Sequence, residues 1–163
     1  MTRAAPIFTI MAAAALIVAS PTARAAEPTP ATTPIPIELN KLEPLPAAAN
    51  TPAGCRVYFV INNNDPETLA QLRLDLILFG TDGVIARRVA LDLGPLPAKK
   101  TGVRLFDLTG QACEGIGRVL VNDVLACQST AANGVAAPAA GGSAACLDRL
   151  APTSRIAAVA FGK

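Results

Sequence analysis

The sequence predicts an all-β fold: an antiparallel immunoglobulin-like β-sandwich of about seven strands that follows a cleaved signal peptide. Three observations carry the prediction. Short stretches rich in alternating or β-branched residues recur about every dozen residues. No stretch shows a convincing amphipathic-helix period, and turn signals built from Gly, Pro, Asn and Asp separate the stretches. A partly closed barrel is the nearest alternative.

The chain begins Met1-Thr2-Arg3, turns apolar over residues 7–19 (IFTIMAAAALIVA) and reaches Ala23-Arg24-Ala25. A basic tip, an apolar run and a small-x-small site describe a secretory signal peptide over residues 1–25, with cleavage after Ala25. The run is well short of the roughly twenty residues a membrane-spanning helix needs, so the mature chain is expected to have no membrane span. No cysteine follows the site, which speaks against a lipid anchor. A single arginine precedes the run, which is not the usual twin-arginine signal.

Residues 26–34 (AEPTPATTP) read as an extended Pro/Thr-rich leader, and residues 35–163 as one domain. A first strand is expected at 35–42 (IPIELNKL), where Ile35, Ile37 and Leu39 share a face and Pro36 suits an edge position. Residues 55–61 (CRVYFVI) form the second, stopped by Asn62-Asn63-Asn64-Asp65-Pro66. Over 72–79 (LRLDLILF) four leucines alternate with Arg73, Asp75 and Ile77, as in a half-buried strand. A helical reading of 68–78 yields to that alternation and to the turn behind it. Gly80-Thr81-Asp82-Gly83 tolerates positive φ and closes a hairpin with 84–93, where Arg87-Arg88 breaks the register and implies a bulge. Strands follow at 101–108, 116–126 and 156–161, and residues 128–145 (QSTAANGVAAPAAGGSAA) read as a flexible loop of small residues.

An exported chain with four cysteines is expected to oxidise them, and four cysteines allow three pairings. Sequence alone cannot choose among them, but strand order favours one. In an immunoglobulin-like order the second and sixth strands run in the same direction, so Cys55, opening the second, lies near Cys113, which precedes the sixth. Cys127 closes the sixth strand and Cys146 precedes the last. The expected disulfides are Cys55–Cys113 and Cys127–Cys146. There is no C-x-x-C spacing and no histidine, which removes the usual redox motif, His-ligated metals and His-dependent nucleophilic triads.

Carboxylates are the remaining acid–base groups: Asp75, Asp82, Asp92, Asp107, Glu114 and Asp123 lie in or beside strands. A glycosidase would need two of them facing across a cleft, and their spacing gives no sign of that. The segment 62–65 (NNND) lacks the ligand spacing of a calcium loop and reads as a polar turn. Asn122 and Asp123 interrupt an apolar strand, so one of them is expected to hydrogen-bond across the sheet. Arg87, Arg88, Lys99 and Lys100 are expected at one end of the sandwich as a solvated rim or a patch for an acidic partner. Gly115-Ile116-Gly117 lacks the third glycine and the helix of a dinucleotide site.

Without Arg3 and Arg24, the 14 basic residues fall to 12, against 12 acidic ones. A neutral mature chain with no Trp and few aromatics has neither the electrostatic footprint nor the stacking surface of a nucleic-acid binder.

The segments IELNKLEP, CRVYFVINN, LILFGTDGVI, KTGVRLFDL and C-x-x-I-G-R-V-L-V-N-D-V-x-x-C, in this order, resemble a family of small exported alphaproteobacterial proteins known mainly by a twin-arginine export label. The likeness spans residues 35–127. It implies export and brings no activity, cofactor or functional residue with it. The plain secretion signal of this chain departs from the family's label.

The sequence thus points to a periplasmic, non-enzymatic module that binds another protein or an envelope component. No catalytic, cofactor or metal residues are expected. The edge at Pro36 and the strand at 84–93 are the expected contact surfaces. The alternative is a carboxylate- or metal-dependent periplasmic enzyme.

Overall fold

The computed structural model describes Met1, residues 33–130 and residues 134–163. Apart from Met1, the expected signal peptide lies outside the described residues, as does the leader up to residue 32. The described chain forms β1 (Ile35–Leu45), β2 (Gly54–Asn62), β3 (Thr68–Phe79), β4 (Ile85–Asp92), β5 (Thr101–Thr109) and β6 (Arg118–Thr130). Then come β7 (Ala136–Pro138), helix α1 (Gly142–Arg149), β8 (Leu150–Ser154) and β9 (Ala160–Gly162). A 3-10 turn at Cys113–Gly115 separates β5 from β6.

One sheet has the order β5-β2-β1-β8; the other has β4-β3-β6-β7, with β9 also paired to β6. The sub-orders β5-β2-β1 and β4-β3-β6 are those of an immunoglobulin-like sandwich. Pairing is antiparallel except for β1 with β8 and β6 with β9, which are parallel. Period-two alternation builds the core between the sheets. Ile35, Ile37 and Leu39 of β1 and Val57, Phe59 and Ile61 of β2 are buried, as are Leu72, Leu74, Leu76 and Leu78 of β3. The Phe59 ring meets Phe161 of β9 at 5.6 Å and Phe106 of β5 at 6.3 Å, which ties the two layers together.

Irregularities in β6 explain where its side chains go. Opposite β3 the register skips Leu125 and then Asn122, so the buried positions run Val119, Val121, Val124, Cys127. Leu125 is the extra residue of one bulge, and it is left exposed. The expected bulge near Arg87-Arg88 is found one residue upstream, because Leu78 pairs with Arg87 but Phe79 pairs with Ile85. Gly83 closes that hairpin at φ 79°. A Cβ on Gly117 would meet the Gly80 carbonyl at 2.7 Å, so this glycine serves close packing against the hairpin turn.

Three expectations need correction. β1 is no edge strand, since β8 runs beside it and Pro36 pairs with Ala151. The proline is tolerated because pairing to β2 begins only at Ile37. The segment 128–145 is not all loop: β6 continues into it, β7 lies within it and α1 starts in it. The single late strand expected at 156–161 is instead two short ones, β8 and β9, either side of a turn.

Both expected disulfides are present, Cys55–Cys113 and Cys127–Cys146, and all four cysteines are buried. The first pins the turn before β6 to the start of β2; the second pins α1 to β6. Loop-closure entropy for sequence separations of 58 and 19 gives about 4 and about 3 kcal/mol respectively. Urea denaturation of Cys55→Ala/Cys113→Ala and Cys127→Ala/Cys146→Ala is expected to show losses in that order. A larger loss from the second pair would contradict the loop-closure account.

Candidate functional site

The apolar void between Val57, Phe59, Leu76, Leu78 and Val119 is about 10 Å³, at the lower limit for one water. Two open clefts lie at the hairpin end of the sandwich. One, of about 430 Å³, is lined by Phe79, Thr81, Gly117, Arg118 and two alanines, and its sole ionisable side chain is Arg118, 5.3 Å above the Phe79 ring. The other, of about 280 Å³, is largely apolar and holds one carboxylate, Glu114.

The remaining candidate carboxylates are dispersed, each with its own partners. Asp75 is the notable one, because it sits mid-strand on the outer face of β3 yet is only 1% exposed. Arg88 of β4 reaches over it, Nε to Oδ1 at 2.7 Å, and Asn122 donates Nδ2 to Oδ2 at 2.6 Å. The bulge in β6 makes this possible, setting both Asn122 and Asp123 against Asp75. Asn122 thus makes the cross-sheet hydrogen bond the sequence called for, while Asp123 accepts from the Val124 amide. The Arg88 hydrogen bond holds the Asp75 carboxyl below the usual carboxylate range against the opposing effect of burial.

Asp107 accepts a two-pronged contact from Arg56, at 2.6 and 2.8 Å, which lowers its pKa. Asp82 and Asp92 accept from the Val84 and Gly94 amides in their turns. Among the described residues, no three His, Cys, Asp or Glu side chains gather as metal ligands.

The segment 62–65 is a polar hub. Asn63 is buried and donates Nδ2 to the carbonyls of Glu67, Leu96 and Pro97, while its Oδ1 accepts the Asp65 amide. Asp65 is ion-paired with Arg149 of α1. No sequence signal distinguishes Asn63 from its neighbours, since its role depends on loops 33 residues away.

The basic residues do not cluster at one end. Arg88 is committed to Asp75, Lys99 holds the Asn64 carbonyl, and Arg87 donates to the Thr109 carbonyl at the far end of β5. Arg104, which no local sequence signal marks, lies on β5 and holds the carbonyls of Pro95 and Val103. Arg87 and Arg104 thus both hold carbonyls of β5, those of Thr109 and Val103. On the outer face of β5, Val103 and Leu105 are both 50% exposed.

The Asp75 geometry fixes a sign for pH dependence. A depressed carboxyl contributes stability that is present above its unfolded pKa, near 4, and is lost as pH falls. The urea midpoint is expected to drop below about pH 4, and less steeply in Asp75→Asn. An identical slope in the variant would remove Asp75 from the account.

No protein-family model matches the chain, and no curated protein matches it. Among solved structures, IrmA from Escherichia coli is similar at a TM-score of 0.48 and 16% identity, over 74% of this chain and 92% of that one.

Proposed function

We propose that the chain is an exported, periplasmic, non-enzymatic module that binds another protein or an envelope component through the β5 edge of its sandwich. The observation that carries this reading is the exposed edge itself. β5 is nine residues long and, among the described residues, pairs on one side only, with β2. It also presents two half-exposed apolar side chains, Val103 and Leu105, to solvent. Long edges with apolar faces invite strand addition unless they are guarded. β4, the other outermost strand on this side, is a secondary candidate surface.

Two disulfides fit an oxidising compartment. Among the described residues no helix is long and apolar enough to cross a membrane. The A-x-A site and the resemblance to exported alphaproteobacterial proteins support the periplasm as destination.

Cell fractionation with N-terminal sequencing is expected to recover a periplasmic chain beginning at Ala26. Retention in the cytoplasm with an intact N-terminus would overturn the export reading. Capture from envelope extracts on the oxidised protein is expected to yield a partner in stoichiometric amount, reduced about tenfold or more by Val103→Lys/Leu105→Lys, a loss of about 1.4 kcal/mol. Equal capture by both forms would remove β5 from the reading.

A further inference from the structure

We propose that the β5 edge receives an extended acidic segment of a partner as an added strand, and that Arg87 and Arg104 are its carboxylate receptors. This rests on the edge reading above and adds the chemistry of the occupant.

The ladder sets which backbone groups are available. Gly110, one residue past β5, donates its amide to the Ala53 carbonyl at 2.9 Å. By the two-residue alternation of an antiparallel pair, even positions of β5 face β2 and odd positions face outward. Two of these outward carbonyls are already held by guanidinium groups: Thr109 by Arg87 at 2.7 Å, and Val103 by Arg104 at 3.0 Å. A docking strand would place its own N–H groups on outward carbonyls of this kind. The two arginines are therefore placeholders, which close the edge while it is empty.

Charge identifies what they are holding the place for. Ion pairs among the described residues engage Lys41, Arg56, Arg88, Arg149 and Arg155, and neither Arg87 nor Arg104 is among them. Residues 85–109 carry five basic side chains against Asp92 and Asp107, a net of +3, and the rest of the mature chain carries 7 basic against 10 acidic residues, a net of −3. Asp107 is also occupied by Arg56. Positive charge is thus segregated onto β4, β5 and their link.

Cross-strand neighbours share a face, so an occupant places one set of alternate residues beside Val103 and Leu105 and the other set toward Arg104. The complementary sequence alternates apolar and acidic residues. A basic strand meets the same two arginines as repulsion.

The test uses the oxidised protein produced from the full-length chain and three fluorescein-labelled octapeptides. One alternates valine and glutamate, one alternates valine and lysine, and one is the glutamate peptide with a central proline. The glutamate peptide is expected to bind by anisotropy and to slow amide exchange at Val103, Leu105 and Asp107. Arg87→Gln/Arg104→Gln is expected to weaken it about tenfold or more, as is raising salt from about 0.05 to about 0.5 M. The proline peptide should bind at least about tenfold more weakly, because it lacks a ladder donor. Near-UV circular dichroism of the double variant establishes that it is folded.

Equal binding of the lysine peptide, or no effect of the folded double variant, overturns the acidic occupant. Protection of the β5 amides in that case leaves the edge reading standing. If no peptide slows exchange at β5 and capture is unchanged by Val103→Lys/Leu105→Lys, both fall.

Discussion

The crossing from β5 to β6 is the constraint on which the rest of the architecture depends. Within eight residues the chain leaves an outermost strand of one sheet and enters the middle of the other. Cys113 sits in that crossing and is bonded to Cys55 at the start of β2, with both sulfurs buried. Ile116 is buried beside it, and Gly117 packs against the β3–β4 turn at a distance no side chain would allow. With the crossing fixed, β6 pairs with β3, and β5 stays beyond β2 with no later strand among the described residues to cover it. The open edge follows from the connectivity.

The centre of the second sheet and the open side are handled in opposite ways. Slipping β3 against β6 by one residue would turn the leucine row outward. The Asp75–Asn122 hydrogen bond opposes this slip, because the carboxylate has its partners at one register only. Burying that carboxylate is tolerable because Arg88, itself 67% exposed, keeps its own hydration while neutralising it. On the open side no such lock exists, and cationic side chains hold edge carbonyls instead. Charged groups of this kind guard an edge against indiscriminate pairing. In the proposed reading the same guard gives the edge a preference for one sign of partner.

Much of this was legible in the sequence, because it rests on short-range pattern. The leucine alternation at 72–78 fixed the inner face of β3, and the GTDG turn fixed the hairpin. The disulfide pairing that strand order favoured is the one present. What escaped was non-local. LAPTS of β8 has no alternating apolar pattern, and its parallel pairing with β1 makes it a strand, which is also why Pro36 does not mark an edge. Helix α1 (GSAACLDR) is short and rich in small residues, and it is held by Cys146 in the core, by Arg149 on Asp65, and by Lys163 on its last carbonyls. Arg104 carries no local signal, since its interest lies in being on an edge strand that only the completed sheet order defines.

Residue-resolved amide exchange of the free protein tests the central claim, an unpaired β5 edge, most directly. Arg104, Phe106 and Leu108, whose amides face β2, should exchange slowly, while Val103, Leu105 and Asp107 between them should exchange near the rate of open chain. That alternation along a single strand is the signature of an edge available to a partner. Slow exchange at every β5 position would mean that the edge is already paired in the free protein, and the account built on it would fail.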